Sequence, residues 1–378
     1  MKNKNSESIP EIYKRLELQI GFTDFCDMMC KMCMQSAHIS GIYGENKILE
    51  KPLHHNKKGF MTKSTFNRFL YSMKNTRLHF RFILLHWLGE SLLHPELSNF
   101  LKQIIELDNE VNFFDDLMLF TNSLTLTEQV AKSINDTMNI SKKRLYFVFS
   151  IDASTSTTFS SIKGRDRYNT VIKNIKDFIQ KYDLPNIKYI FRFLIMPENH
   201  EETKSFIDYW SNFCIKEFNK GPLITFNEEK PRNIDAKSFI NLRRVAASNQ
   251  KEMEMLHKNT LVSLGIIKNT DKRIIDFDDI LSLDEQIRKP CAAPFRTPII
   301  NWDGEITACC ADSELELKMG NINFDSFDDI FLGEPYNNLR NMHLFNKKLP
   351  PRCTRCGNLM GLGISEQEIK DLTDYYRP

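Results

Sequence analysis

Nine cysteines are scattered unevenly along 378 residues, and their spacing is the first thing that could do chemistry. Cys26, Cys30 and Cys33 stand together in "CDMMCKMC". Five more, Cys291, Cys309, Cys310, Cys353 and Cys356, lie near the C-terminal end, and Cys214 is alone. Thiolates hold iron–sulfur clusters, ordinarily four to a cubane, so a loop supplying three leaves one iron open to another ligand. A zinc site needs a fourth nitrogen or sulfur at tetrahedral distance. Only Cys30 and Cys33 form a C-x-x-C pair here, and His38 is the available fourth zinc ligand. The plainer reading, three small apolar residues that happen to cluster, fits poorly in a polar loop of so rare a residue.

Chemistry of this kind needs a scaffold, and the chain alternates. Strand-like runs at 16–23, 79–88, 116–122, 144–152, 187–196 and 223–228 are separated by helix-like stretches at 62–75, 95–107, 125–136, 168–181 and 200–214. The strands are dense in Phe, Ile, Leu and Val, as parallel strands covered on both faces are. The fold class is therefore α/β, a doubly wound sheet or a barrel-like array, with function on the loops after the strands' C-terminal ends. "CDMMCKMC" is such a loop. Residues 231–285 are polar and irregular and read as a connecting segment with helices around 237–259; residues 286–365 hold the five late cysteines.

Composition excludes several classes. Charged residues are 26% of the chain and balance to +2, so no single-sign field marks a nucleic-acid or membrane-surface binder. The N-terminal "MKNKNSESIPEIYKRLE" has no apolar core for a signal peptide, and the apolar runs "FILLHWL" and "IKYIFRFLIM" are too short to span a bilayer. A cytoplasmic protein is expected, with its cysteines as ligands, catalytic groups or buried thiols rather than disulfides.

C-x-x-x-C-x-x-C after the first strand of an alternating β/α chain resembles the radical S-adenosylmethionine (SAM) enzymes. The resemblance implies a partial (β/α)6 TIM-like barrel over about residues 10–230. It also implies a [4Fe–4S] cluster on Cys26, Cys30 and Cys33 whose open iron binds SAM. A protein reductant such as flavodoxin or ferredoxin supplies the electron in that family. Met32 stands where the family usually has an aromatic residue. "WLGESLLHP" is similar to the family's G-G-E-P stretch: Gly89 and Glu90 match, Leu88 and Ser91 do not. By the same resemblance "FSIDAS" offers Ser150 and Asp152, on one face if strand alternation continues. "SIKGRDRYNTVIKNI" offers Arg165 toward the SAM carboxylate, and "FTNS" offers Asn122. Each also has a plainer reading, as a cap, a turn residue or a solvated charge.

The C-terminal pattern resembles the small α+β auxiliary-cluster domain of these enzymes, called SPASM or, when shortened, twitch. Cys291 is followed by Gly304, then four residues on by Cys309, then the Cys353–Cys356 pair. Those four sulfurs suit one fully ligated auxiliary [4Fe–4S] cluster; a zinc ribbon would use the same four. The Gly-x4-Cys spacing selects Cys309 over Cys310. Cys310 or Cys214 could instead donate a hydrogen atom, as a cysteine does in some related epimerases, or be a buried inert thiol. "INWDGEITACCAD" reads as a hairpin with an Asp-Gly turn. Trp87, Trp210 and Trp302 read as core or pocket wall. The implied function is an oxidation or epimerisation of a small sugar- or cyclitol-like molecule. Peptide modification, and a non-catalytic zinc or iron–sulfur protein, are the alternatives.

Overall fold

The computed structural model describes residues 10–33, 58–226, 235–245, 250–269, 290–355 and 364–377. His38 and Cys356 lie outside these residues. The described strands are β1 (Leu16–Ile20), β2 (Phe80–Leu84), β3 (Phe114–Thr121), β4 (Arg144–Ser150), β5 (Ile187–Ile195), β6 (Leu223–Thr225), β7 (Ser238–Arg244), β8 (Ile299–Ile300), β9 (Glu305–Thr307) and β10 (Lys318–Asn321). They form one sheet in the order β10-β9-β8-β1-β2-β3-β4-β5-β7-β6. From β8 through β6 every pairing is parallel; β8, β9 and β10 pair antiparallel.

The helices between the strands start where the sequence signals them. Thr62 accepts a hydrogen bond from the Thr65 N–H and caps Lys63–Lys74; Thr127 does the same for Glu128–Asn139 through Val130. Such caps contribute about 1 kcal/mol each. The helices Leu97–Val111, Tyr168–Lys181 and Thr203–Phe218 follow β2, β4 and β5. Their buried residues, among them Phe100, Ile104, Val171, Phe178 and Trp210, meet one face of the sheet, including Leu18, Ile83, Leu117, Phe147 and Phe191. Trp210 stacks on Phe191 at 4.2 Å and is core. The alternate strand residues, Phe82, Leu84, Met118, Phe120, Tyr146, Val148, Ile190 and Phe239, form a second apolar cluster without helix residues. A parallel sheet buried on both faces is what the near-continuous apolar runs required.

One expectation is corrected. The sequence puts the sixth strand at 223–228 and makes 231–285 a helical connector. The strand that pairs with β5 is β7, from within that connector; β6 is three residues long and sits outside it. "SFINLRR" alternates weakly and ends in two arginines, so it does not announce a strand. Phe239, Ile240 and Leu242 are nonetheless fully buried, and that burial outweighs the polar flanks. The helix Gln250–Ser263 follows it.

The C-terminal segment joins the barrel through β8, which extends the sheet beyond β1. The expected hairpin is present as β8–β9, turning at Gly304 with φ +87°. Behind it, the fully buried Arg340 donates to the carbonyls of Pro294 and Phe331 at 2.9 and 2.7 Å and lies over the Tyr13 ring. One guanidinium thus ties the late helices to the first turn of the chain.

Candidate functional site

The cysteine loop is clamped from two sides. On one side is the turn after β2. A Cβ added to Gly89 would lie 2.3 Å from the Thr23 carbonyl oxygen and 2.7 Å from that of Phe25, so only glycine allows this approach. The next residue, Glu90, donates its N–H to the Phe25 oxygen at 2.8 Å. On the other side is the end of the helix Ser156–Lys163. Met29 and Lys31 donate their N–H groups to the carbonyls of Lys163 and Ile162, both at 2.9 Å. Gly164, with φ +70°, caps that helix and packs where a Cβ would come within 2.8 Å of the Met29 oxygen. The helix's last carbonyls, unsatisfied within it, are thus used to hold the loop.

Around the loop the polar groups are committed. The buried Glu90 carboxylate accepts the N–H of Asn122 at 2.7 Å and of Leu92 at 3.1 Å, and burial pushes it up to about 7. The Asn122 amide donates to Asp27 Oδ1 at 2.6 Å and lies 3.9 Å from Cys26 Sγ. Asp27 Oδ2 is buried and accepts no hydrogen bond from any described residue. Sequence reasoning passed over Asp27; the only signal was its place directly after the first cysteine. Cys26 is exposed and Cys30 half-buried, yet the surrounding protein pushes their thiols up to about 12 and about 11. Among the described residues, no three Cys, His, Asp or Glu side chains converge as the ligands of a single metal ion.

The expectation that Ser150 and Asp152 share a face is not met. β4 ends at Ser150, and Asp152 has φ +61°, a left-handed turn that breaks the alternation. The buried Asp152 carboxylate accepts from the Leu194 N–H at 2.7 Å and pairs with the buried Lys163 ammonium at 2.5 Å. Lys163 was not singled out from the sequence, where it reads as an ordinary helix-end lysine. Burial presses its pKa down, but Asp152 and then Cys30 outweigh that, and the net shift is upward. Arg165, two residues on, is exposed.

Ser150 instead belongs to a row across the sheet. It pairs in register with Arg192, Arg192 with Asn241, and Asn241 with Thr225, on four neighbouring strands. Arg192 donates to Asn241 Oδ1 at 3.2 Å, and Asn241 to Thr225 Oγ1 at 2.8 Å. The Arg192 guanidinium lies 4.8 Å from the centre of the Phe120 ring, whose other neighbour is His86 at 4.0 Å. Two residues back along the same strands are Val148, Ile190 and Phe239 of the helix-free apolar cluster. The C-terminal ends of these strands thus carry a polar tier on an apolar floor. Arg192 and Asn241 were hidden in sequence by the surrounding apolar run and by the missed β7.

Cys309 follows β9, and its pKa is lowered, chiefly by a hydrogen bond from the Cys310 thiol. Cys353 and Cys291 are buried. Asp312, fully buried, accepts from Thr307 Oγ1 and from the N–H groups of Glu316 and Leu317 and shapes the turn after Cys309. Cys310 packs with Trp87, Leu88, Ile299 and Leu315, and the Trp87 indole donates to its carbonyl at 3.1 Å. Cys310 is therefore beside the turn after β2. Cys214 is buried on the helix Thr203–Phe218, near Ser238 at the N-terminal end of β7, and burial pushes it up to about 11. Trp302 covers Gly59, which has no room for a Cβ against its ring.

The model of the SPASM family, an iron–sulfur cluster-binding domain, matches residues 291–357. The chain carries a SPASM domain. It includes all five late cysteines, and no cysteine follows it. No curated protein sequence matches the chain. Among solved structures, anSMEcpe with bound AdoMet aligns over 96% of this chain and 96% of its own, at 14% identity and a TM-score of 0.56. SuiB of Streptococcus suis aligns over 92% of this chain and 72% of its own, at 16% identity and a TM-score of 0.56. BtrN in complex with AdoMet and 2-DOIA covers 93% and 95% at 13% identity, but its TM-score of 0.45 carries no argument. The chain thus shares the fold of anSMEcpe and SuiB, and over residues 291–357 it matches the SPASM family. No helix among the described residues is long and apolar enough to cross a membrane.

Proposed function

We propose that the chain is a radical SAM oxidoreductase in which Cys26, Cys30 and Cys33 hold a [4Fe–4S] cluster with one open iron. Cys291, Cys309, Cys353 and Cys356 hold the auxiliary cluster of the SPASM domain. The observation that carries the reading is the clamped three-thiol loop at the C-terminal end of β1, inside a parallel α/β fold that ends in a SPASM domain. Three thiolates on one loop suit a cubane that leaves one iron open. Bound there, the cluster and SAM supply one-electron cleavage of the sulfonium and a carbon radical that takes hydrogen from a substrate.

The chain's own residues hold and select. Gly89 lets the strand-2 turn close on the loop, and Glu90 fixes Asn122 rather than facing outward. The partnerless oxygen of Asp27 is the acceptor for the SAM ammonium. The Gly304-x4-Cys309 spacing favours Cys309 over Cys310 as the auxiliary ligand. The tier of Ser150, Arg192, Asn241 and Thr225 faces the substrate, and its density of donors and acceptors suits a compact, oxygen-rich molecule. On this reading the net reaction is a dehydrogenation or an epimerisation, with the electron supplied by a flavodoxin- or ferredoxin-type protein. A second reading, a peptide substrate, draws on anSMEcpe solved with the Cp18Cys peptide and SuiB bound to precursor peptide SuiA. At such low identity those likenesses show the fold alone.

The test is metal analysis and turnover on anaerobically purified protein. About eight irons per chain and 5′-deoxyadenosine formation are expected; zinc without sulfide would refute the reading. Cys30→Ala should abolish SAM cleavage, whereas Cys356→Ala should keep it while product formation is lost. Full product formation by the latter variant would remove the auxiliary cluster from the reaction. Hydrogen transfer from labelled polyols, against labelled peptides, into 5′-deoxyadenosine decides the substrate class.

A further inference from the structure

The Asp152–Lys163 pair is buried, and neither member has a role in the chemistry derived so far. Lys163 is 2% exposed and Asp152 1%. Asp152 holds the lysine ammonium at 2.5 Å with one oxygen and takes the Leu194 N–H with the other, so the cation cannot swing to solvent. Lys163 is also the residue whose carbonyl receives the Met29 N–H, one position before Cys30. The adjoining Gly164 presses on the same Met29. The pair is therefore built onto the cysteine loop, its ammonium within one lysine side chain's length of the main chain that holds the loop.

Resting on the cluster assignment above, we propose that Lys163 is a positioning residue for the cluster on Cys26, Cys30 and Cys33. Its main chain fixes the loop, and its Asp152-held ammonium sets the cluster's reduction potential. Reduction adds one negative charge beside a fixed cation that water does not screen, so the cation favours the reduced state. Asp152 serves twice, by keeping the ammonium in place and by partly offsetting its charge. A unit charge about 10 Å from the added electron, in an effective dielectric of about 20, shifts a one-electron equilibrium by roughly tenfold.

The experiment is an EPR-monitored redox titration of the anaerobically reconstituted full chain, following the cluster whose signal changes when SAM is added. In Lys163→Met the reduced-to-oxidised ratio at fixed potential should fall about tenfold, equivalent to about 59 mV for one electron. In Asp152→Asn, which keeps the cation and removes its counter-charge, the ratio should rise. Lys163→Arg should stay near wild type, and the double variant Asp152→Asn/Lys163→Met should lie between the single ones. A purely structural pair would move both single variants the same way, by losing cluster, and would give no opposed shifts. Ratios within twofold of wild type in both single variants would overturn the proposal. If Lys163→Met assembles no cluster, the sign of the Asp152→Asn shift decides, and a fall or no change refutes it. A wild-type protein with no SAM-responsive cluster would instead refute the assignment beneath it, a distinguishable result.

Discussion

Gly89→Ala is the sharpest test of how the cysteine loop is held. The new methyl carbon would sit 2.3 Å from the Thr23 oxygen, 2.7 Å from the Phe25 oxygen and 2.9 Å from the Thr23 carbonyl carbon. All three are backbone atoms, so no side chain can rotate away and the loop itself must retreat. Overpacking of this kind costs about 1–3 kcal/mol. The retreat also lengthens the hydrogen bond from the Glu90 N–H to the Phe25 oxygen, worth about 0.5–1.5 kcal/mol more. The penalty of roughly 2–4 kcal/mol falls on Thr23 and Phe25, just before Cys26. Iron incorporation on reconstitution should therefore drop, and urea unfolding of the metal-free protein should shift to a lower midpoint. Gly265→Ala is the control: its φ is +68°, yet nothing lies within 4 Å of its added carbon. It should cost only about 1 kcal/mol of backbone strain and leave iron uptake intact. If Gly89→Ala loads iron like wild type with an unchanged midpoint, the contact does not hold the loop and the reasoning is wrong.

Other outcomes follow from the same geometry. Asp27→Asn should weaken SAM binding roughly tenfold or more, since a charge-assisted hydrogen bond to an ammonium is worth about 1.5–3 kcal/mol; equilibrium binding to the reconstituted protein measures it. Cys214→Ser should leave SAM cleavage and product formation unchanged, because the thiol lies on the outer helix at the far end of β7, whereas Cys310→Ser is the variant that tests hydrogen donation. His257 donates from Nε2 to the Leu242 carbonyl, and burial, with Arg243 and Arg244 adding to it, lowers its pKa to about 4. The folded state thus resists protonation. Stability is full above the unfolded value of 6.5 and is lost as pH falls toward 4, by about 3 kcal/mol in all. Urea midpoints of metal-free protein at pH 7.5 and pH 5 should show that loss, and His257→Phe should show much less of it.

Five strands and their helices were legible because the strands are rich in apolar residues, the helices carry apolar residues at helical spacing, and two helices begin at recognisable caps, Thr62 and Thr127. β7 was not, because its apolar residues are three in seven and its neighbours are charged. Only the position next to β5 makes it a strand. The cysteine loop was legible from type and spacing alone, since few chemistries need three thiols in eight residues. What holds the loop was only half legible. Gly89 could be proposed by resemblance, but its reason, two backbone oxygens within 3 Å of a missing Cβ, is a fact of packing between distant segments. Asp152 was found as a candidate and then proved to face Lys163, because a left-handed φ turned it out of the strand's alternation. Strand periodicity cannot foresee such a turn.

The carboxylates near the loop divide by what already satisfies them. Glu90 and Asp152 looked most available in sequence, yet each is spent on main-chain N–H groups, and Asp152 on a lysine as well. They build the site's frame. Asp27 looked incidental, yet it keeps one buried oxygen without a partner at the edge of the cysteine loop. A buried acceptor left open costs about 1–3 kcal/mol unless something arrives to fill it. The fold tolerates that cost at the place where a cationic ligand is expected. That asymmetry, rather than the acidity of the loop as a whole, is why Asp27→Asn should move ligand affinity, while substitutions at Glu90 and Asp152 should first move the loop.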